Sequence, residues 1–97
     1  MRLTELRPRW ISRIAGRHGM GLTFLCPHCA QEQLEIFFEN PADGGPPDPE
    51  PGPKWTLHEK GRESFEGVTV SWSIRVSGHW HGMIENGEIV TVPNSPD

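Results

Sequence analysis

Only two cysteines occur in the 97 residues, and they stand together in Cys26-Pro27-His28-Cys29. All cysteine chemistry is therefore confined to one quartet. No apolar run is long enough to span a membrane, and no hydrophobic signal core follows the basic start. That pattern leads us to expect a cytoplasmic protein, where a C-x-x-C pair is more often metal-bound or redox-active than a structural staple. Apolar residues are also scarce, at 34%, while 10 prolines and 11 glycines limit the share of the chain in regular structure. Residues 1–97 suffice for a single domain, but the stability margin shrinks as chains become shorter. A bound metal is an expected reinforcement, since zinc peptides gain on the order of 10 kcal/mol from their ion.

Basic charge is scarce everywhere except at the start. Residues 1–18 carry Arg2, Arg7, Arg9, Arg13 and Arg17 against Glu5, a local net charge of +4. The remainder holds four basic and twelve acidic residues, a net charge of −8. The basic segment over residues 1–20 is expected to be a solvated face or tail. The sharper alternative is a contact surface for an acidic partner or a nucleic-acid backbone.

The periodicities that are present are those of strands. A short helix or turn interrupted at Pro8 is expected over residues 1–15, with Trp10, Ile11 and Ile14 docking it. Leu22, Phe24 and Cys26 then alternate with Thr23 and Leu25, and Leu34, Ile36 and Phe38 with Glu35, Phe37 and Glu39. A period of two predicts two strands flanking the cysteines, a knuckle hairpin whose backbone N–H groups point at the thiolates. Residues 40–53 contain six prolines, three glycines and three acids. This composition predicts a mobile surface loop, inert or serving as a polyproline ligand. Lys54 to His58 is a short candidate strand. Val68, Val70, Trp72, Ile74 and Val76 form one face of a long one. His79–Glu85 and Glu88–Val92 are expected to pair as a hairpin across Asn86-Gly87, because both turn residues tolerate positive φ. Pro93, Asn94, Ser95 and Pro96 should end the fold. The expected class is mainly β: a small antiparallel domain with a knuckle hairpin joined to a C-terminal hairpin.

Fifty residues after Cys29 stands His79-Trp80-His81. In a strand, residues i and i+2 share a face, so both imidazoles would project together about 6.5 Å apart at Cα. Trp80 would point the other way, into the core. Two thiolates and two imidazoles are the donor set of a closed tetrahedral Zn2+ site, and Cys26, Cys29, His79 and His81 are its candidate ligands. His28 is an alternate donor, but exposure to solvent is its expected fate.

Competing chemistries use the same residues. Cys-Pro-His-Cys is also the dithiol of a strongly oxidising class of thioredoxin-like proteins, in which a helix follows and lowers the thiolate pKa. Here Ile36-Phe37-Phe38 favours a strand instead. A zinc hydrolase would need an open metal position and a base, for which Glu85 is the candidate. The nucleobase deaminase signature requires His-x-Glu before Pro-Cys-x-x-Cys, and this chain has neither the triplet nor that order.

The runs Trp72-Ser73-Ile74, Gly78-His79-Trp80-His81-Gly82-Met83-Ile84 and Asn86-Gly87-Glu88-Ile89, with Cys26-Pro27-His28-Cys29 and Trp55, resemble the DUF6527 family. The resemblance covers residues 22–92 apart from the proline-rich loop. It implies a zinc-binding β fold of phage or mobile-element origin, working in the host cytoplasm, and no established activity. Where many members carry a cysteine, this chain has Gly78. The ligands so implied are Cys26, Cys29 and His81, with His79 as the fourth.

The functional expectation is a non-enzymatic, zinc-stabilised module that binds another macromolecule, most naturally a protein, through tryptophans its core does not need. The alternatives are a nucleic-acid-binding zinc module using the arginine-rich start, and a zinc hydrolase or dithiol oxidoreductase. No row of aromatic and basic residues on one strand face supports the nucleic-acid reading.

Overall fold

The computed structural model describes residues 1–60 and 64–93. Asn94, Ser95 and Pro96, expected to end the fold, lie outside the described residues. A 3-10 turn at Leu3–Leu6 precedes seven strands: β1 (Arg9–Ile11), β2 (Gly21–Leu25), β3 (Gln33–Phe37), β4 (Thr56–Leu57), β5 (Val70–Val76), β6 (Trp80–Glu85) and β7 (Glu88–Thr91). They form two antiparallel sheets in the orders β1-β2-β3 and β4-β5-β6-β7. The fold is mainly β, as the alternating patterns require. Over residues 1–15, where a short helix or turn interrupted at Pro8 is expected, the chain forms the 3-10 turn and then β1, which contains Trp10 and Ile11. No helix among the described residues is long and apolar enough to cross a membrane.

Backbone bridges join the two sheets at both ends. Beyond β3, Phe38 pairs in parallel with Trp55, with Trp55 N–H donating to Phe37 O at 2.9 Å and Glu39 N–H to Trp55 O at 2.8 Å. At the far edge Arg2 pairs with Glu88. Leu3 N–H donates to Gly87 O and Ile89 N–H to Met1 O, both at 2.8 Å. The first residues of the chain thus cover the edge of β7 before leading into β1, and such pairing removes an edge that would otherwise recruit other strands. The core lies between the sheets. Leu22, Phe24 and Cys26 enter it from the β2 side, Leu34, Ile36 and Phe38 from the β3 side, and Ile74, Trp80 and Ile84 from the second sheet.

Three local features decide what the surface presents. The hairpin turn between β6 and β7 sits at Asn86 and Gly87, with φ of 49° and 76°, values that a primed two-residue turn demands. In β6, Gly82 leaves room for the Trp80 ring, since a Cβ there would run into that ring and the Val90 carbonyl. In β5 the pairing with β6 shifts register between Val70 and Ile74. The strict alternation predicted over 68–76 therefore fails at its centre. Val70 and Ile74 are buried, but Trp72 is 70% exposed. A bulge breaks the period of two, so the residues within it need not follow the faces of their neighbours.

The proline-rich segment forms no regular element, as its composition requires, but it is fastened at several points rather than loose. Arg17 grips Asp43 through two N–H···O bonds of 2.7 and 3.0 Å and donates to Pro46 O at 2.8 Å. The Arg17 guanidinium, with the Gly45 and His18 N–H groups, holds the Asp43 carboxyl well below the usual carboxylate range. Asp48 is buried and lies 3.3 Å from Arg13, whose guanidinium stacks 4.2 Å from the Phe37 ring centre. Arg2 reaches Glu88 at 2.9 Å. Three of the five N-terminal arginines therefore face acids of their own chain.

The different burial of two tryptophans gives a direct check. Trp80→Ala removes a fully buried ring and should lower the unfolding free energy by about 3–5 kcal/mol. Trp72→Ala should stay within about 0.5 kcal/mol of wild type. Urea unfolding followed by circular dichroism measures both.

Candidate metal centre

The β2–β3 hairpin carries Cys26 directly after Leu25, inside the core at 0% exposure, while Cys29 at the tip of the turn is exposed. The turn closes through Ala30 N–H to Cys26 O and Cys26 N–H to Glu32 O, both at 2.8 Å. Ala30 takes a left-handed φ of 57° to make that closure, a conformation that costs a residue with a Cβ of order 1 kcal/mol. The tight turn brings the backbone N–H groups of Glu32 and Gln31 onto the Cys29 sulfur. These two donors, Glu32 first, pull the thiol down to about 7 from an ordinary 9.0, with smaller help from the Cys26 thiol and the His79 ring. Hydrogen bonds to the charged form favour it. Cys29 is thus prepared as a thiolate, and a thiolate is the form that binds metals.

The second half of the cluster comes from the β5–β6 connection. His79 N–H donates to Val76 O at 2.9 Å, and Gly78 supplies the positive φ of 79° within this turn. The Cys26 thiol donates to the His79 carbonyl at 3.5 Å, tying the knuckle to the turn. One residue on, Trp80 is fully buried. Its ring meets Phe24 edge-on at 6.0 Å, and its indole N–H donates to Thr91 Oγ1 at 2.9 Å. Phe24 stands two residues before Cys26 and Trp80 one residue after His79. A single aromatic contact thereby sets both halves of the cluster against each other.

The ligating atoms of Cys26, Cys29 and His79 all lie within 4.8 Å of one another. In a tetrahedral centre with metal–sulfur bonds of about 2.3 Å and metal–nitrogen bonds of about 2.0 Å, such atoms stand about 3.5–3.8 Å apart. Closing the cluster on an ion takes a contraction of about 1.3 Å at most. These three residues form a group able to hold a metal ion.

His81 is not brought into that group. Two imidazoles at i and i+2 share a face only within a strand, but β6 begins at Trp80 and His79 belongs to the preceding turn. His81 is half-buried within β6, where its register partner is Arg75, and its carbonyl accepts from Val92 N–H at 3.0 Å. His28 is exposed in the knuckle. Glu85, the candidate base, lines a different groove with His58, Ser71, Trp72 and Met83. In that groove His58 Nε2 and Ser71 Oγ stand 2.5 Å apart. They are 13 residues apart in the chain, so only the β4–β5 pairing could reveal them.

No family model matches this chain, and no curated protein or solved structure shows significant similarity to it.

The thiol chemistry of Cys29 makes a testable statement about pH. Its pKa is depressed in the fold, so the unfolded metal-free chain holds more protons between the two pKa values and stability rises with pH there. This contribution is absent below pH of about 7 and complete above the ordinary thiol value of 9.0. Alkylation of Cys29 in metal-free protein, followed by mass spectrometry, should therefore show a midpoint near pH 7. A midpoint at or above the ordinary value would contradict the hydrogen bonding described.

Proposed function

We propose that this chain is a zinc-binding β module in which Cys26, Cys29 and His79 hold Zn2+ and the ion fastens one sheet to the other. The observation that carries this reading is the convergence of the three donors from separate hairpins. Two thiolates and an imidazole form a soft donor set that suits zinc better than magnesium or calcium. The ion's role is structural. It cross-links residues 26–29 to residue 79 across some fifty residues of chain, and a constraint on so long a loop removes much unfolded-state freedom.

The working surface in this proposal is the exposed side of β5, where Trp72 stands out from the bulge beside Met83. Exposed tryptophans are favoured anchors in protein interfaces, so the partner is a protein rather than a nucleic acid. The pairing of Arg2, Arg13 and Arg17 with internal acids also speaks against a nucleic-acid role. Membership of the DUF6527 family and a phage origin are part of the proposal, supported by the knuckle, Trp55 and the Trp72–Ile74, Gly78–Ile84 and Asn86–Ile89 segments.

Elemental analysis of purified protein should give one equivalent of zinc. Cys29→Ser and His79→Ala should each lose or weaken it and unfold at lower temperature, and a chelator should lower the melting temperature of wild type towards theirs. Metal-free wild type with a reversible Cys26–Cys29 disulfide would overturn the reading in favour of redox chemistry. A partner captured by wild type and retained undiminished by folded Trp72→Ala would remove the proposed surface.

A further inference from the structure

The knuckle and the β5–β6 turn bring three donors together, one buried, one half-buried and one exposed. Among the described residues, Cys26, Cys29 and His79 are the whole of the group whose ligating atoms lie within 4.8 Å of one another. Cys26 closes the inner side of the group, while Cys29 is exposed and His79 half-buried. Directly beside His79 runs a groove lined by Glu32, Gln33, Leu34, Glu35 and Val76. Resting on the zinc reading above, we propose that the fourth position of the ion is an exchangeable site reached from this groove. Its preferred ligand is a neutral nitrogen donor of the imidazole type, supplied from outside the chain.

Charge decides the class of ligand. A divalent ion held by two thiolates and a neutral imidazole has a net charge of zero. Adding an anion makes the centre negative beside Glu32 and Glu35, two carboxylates that line the approach. Like charges disfavour one another. A neutral donor meets no such cost, and imidazole nitrogen is a donor zinc accepts readily. The same neutrality makes the ion a weaker activator of water than an all-imidazole centre, because thiolate donation offsets the positive charge that lowers the pKa of bound water. The exposed position therefore suits ligand capture better than hydrolysis. A free heterocycle and a histidine side chain of a partner protein share this chemistry.

Cobalt substitution gives the test, since Co2+ reports its coordination through visible bands. The protein is loaded with one equivalent of Co2+ and titrated separately with imidazole, N-acetylhistidine methylamide and azide. The thiolate-to-cobalt band shows throughout that the metal stays bound. The expected result is a saturable change of the ligand-field bands with imidazole, at least tenfold tighter than with azide. In the double variant Glu32→Gln with Glu35→Gln, that discrimination should shrink. Tighter binding of the histidine derivative than of imidazole points to a protein histidine as the natural donor, and the reverse order to a small heterocycle. Bands that imidazole leaves unchanged while cobalt remains bound overturn the proposal, and His81→Ala and His28→Ala then show which histidine of the chain holds the corner. Azide binding more tightly than imidazole overturns the neutral-donor preference. Failure to take up cobalt at all removes the underlying zinc reading, and the proposal with it.

Discussion

The contact between Phe24 and Trp80 is the constraint on which the rest of this structure depends. One ring belongs to the first sheet and one to the second, and they meet edge-on at 6.0 Å with no exposure to solvent. Aromatic pairs prefer this arrangement because the positive edge of one ring meets the negative face of the other. The contact fixes β2 against the start of β6. Cys26 and His79 continue from those two points, so the positions of the candidate ligands follow from core packing before any ion is considered. The room for Trp80 depends in turn on Gly82, whose missing side chain the ring occupies.

The uneven charge of the chain has an internal resolution. An arginine-rich start and an acidic remainder suggest a search for an outside partner, yet Arg13 and Arg17 reach into the proline-rich loop and Arg2 into the β6–β7 hairpin. Ion pairs at a surface add little stability individually. Their effect here is positional. The Arg17–Asp43 pair, reinforced by backbone donors to the same carboxylate, holds a segment that proline and glycine would otherwise leave without a preferred place.

Much of this fold is legible from periodicity. The strands around the knuckle and the Asn86-Gly87 hairpin follow from alternation and from a dipeptide that suits a primed turn. What alternation cannot contain is a change of register. Between Val70 and Ile74 four residues of β5 advance against two of β6, and Trp72, inside this bulge, leaves the face that Val70 and Ile74 keep. The same limit applies at the metal cluster. Cys26, Cys29 and His79 are recognisable by donor type, but the pairing of His79 with His81 assumed that the strand began one residue early. A single residue at a strand's end decides whether two imidazoles share a face. The backbone donors to Cys29 were foreshadowed by the knuckle pattern. The His58–Ser71 pair had no local signal, since it arises only where β4 and β5 lie side by side.

The claim at the centre of this account is that Cys26, Cys29 and His79 bind one zinc ion together. X-ray absorption at the zinc edge of the purified protein tests it most directly, because the scattering shell distinguishes sulfur from nitrogen and oxygen. Two sulfur neighbours at about 2.3 Å and two lighter neighbours at about 2.0 Å are expected, with the imidazole signature lost in His79→Ala. A shell without sulfur, or one unchanged by that substitution, would contradict it.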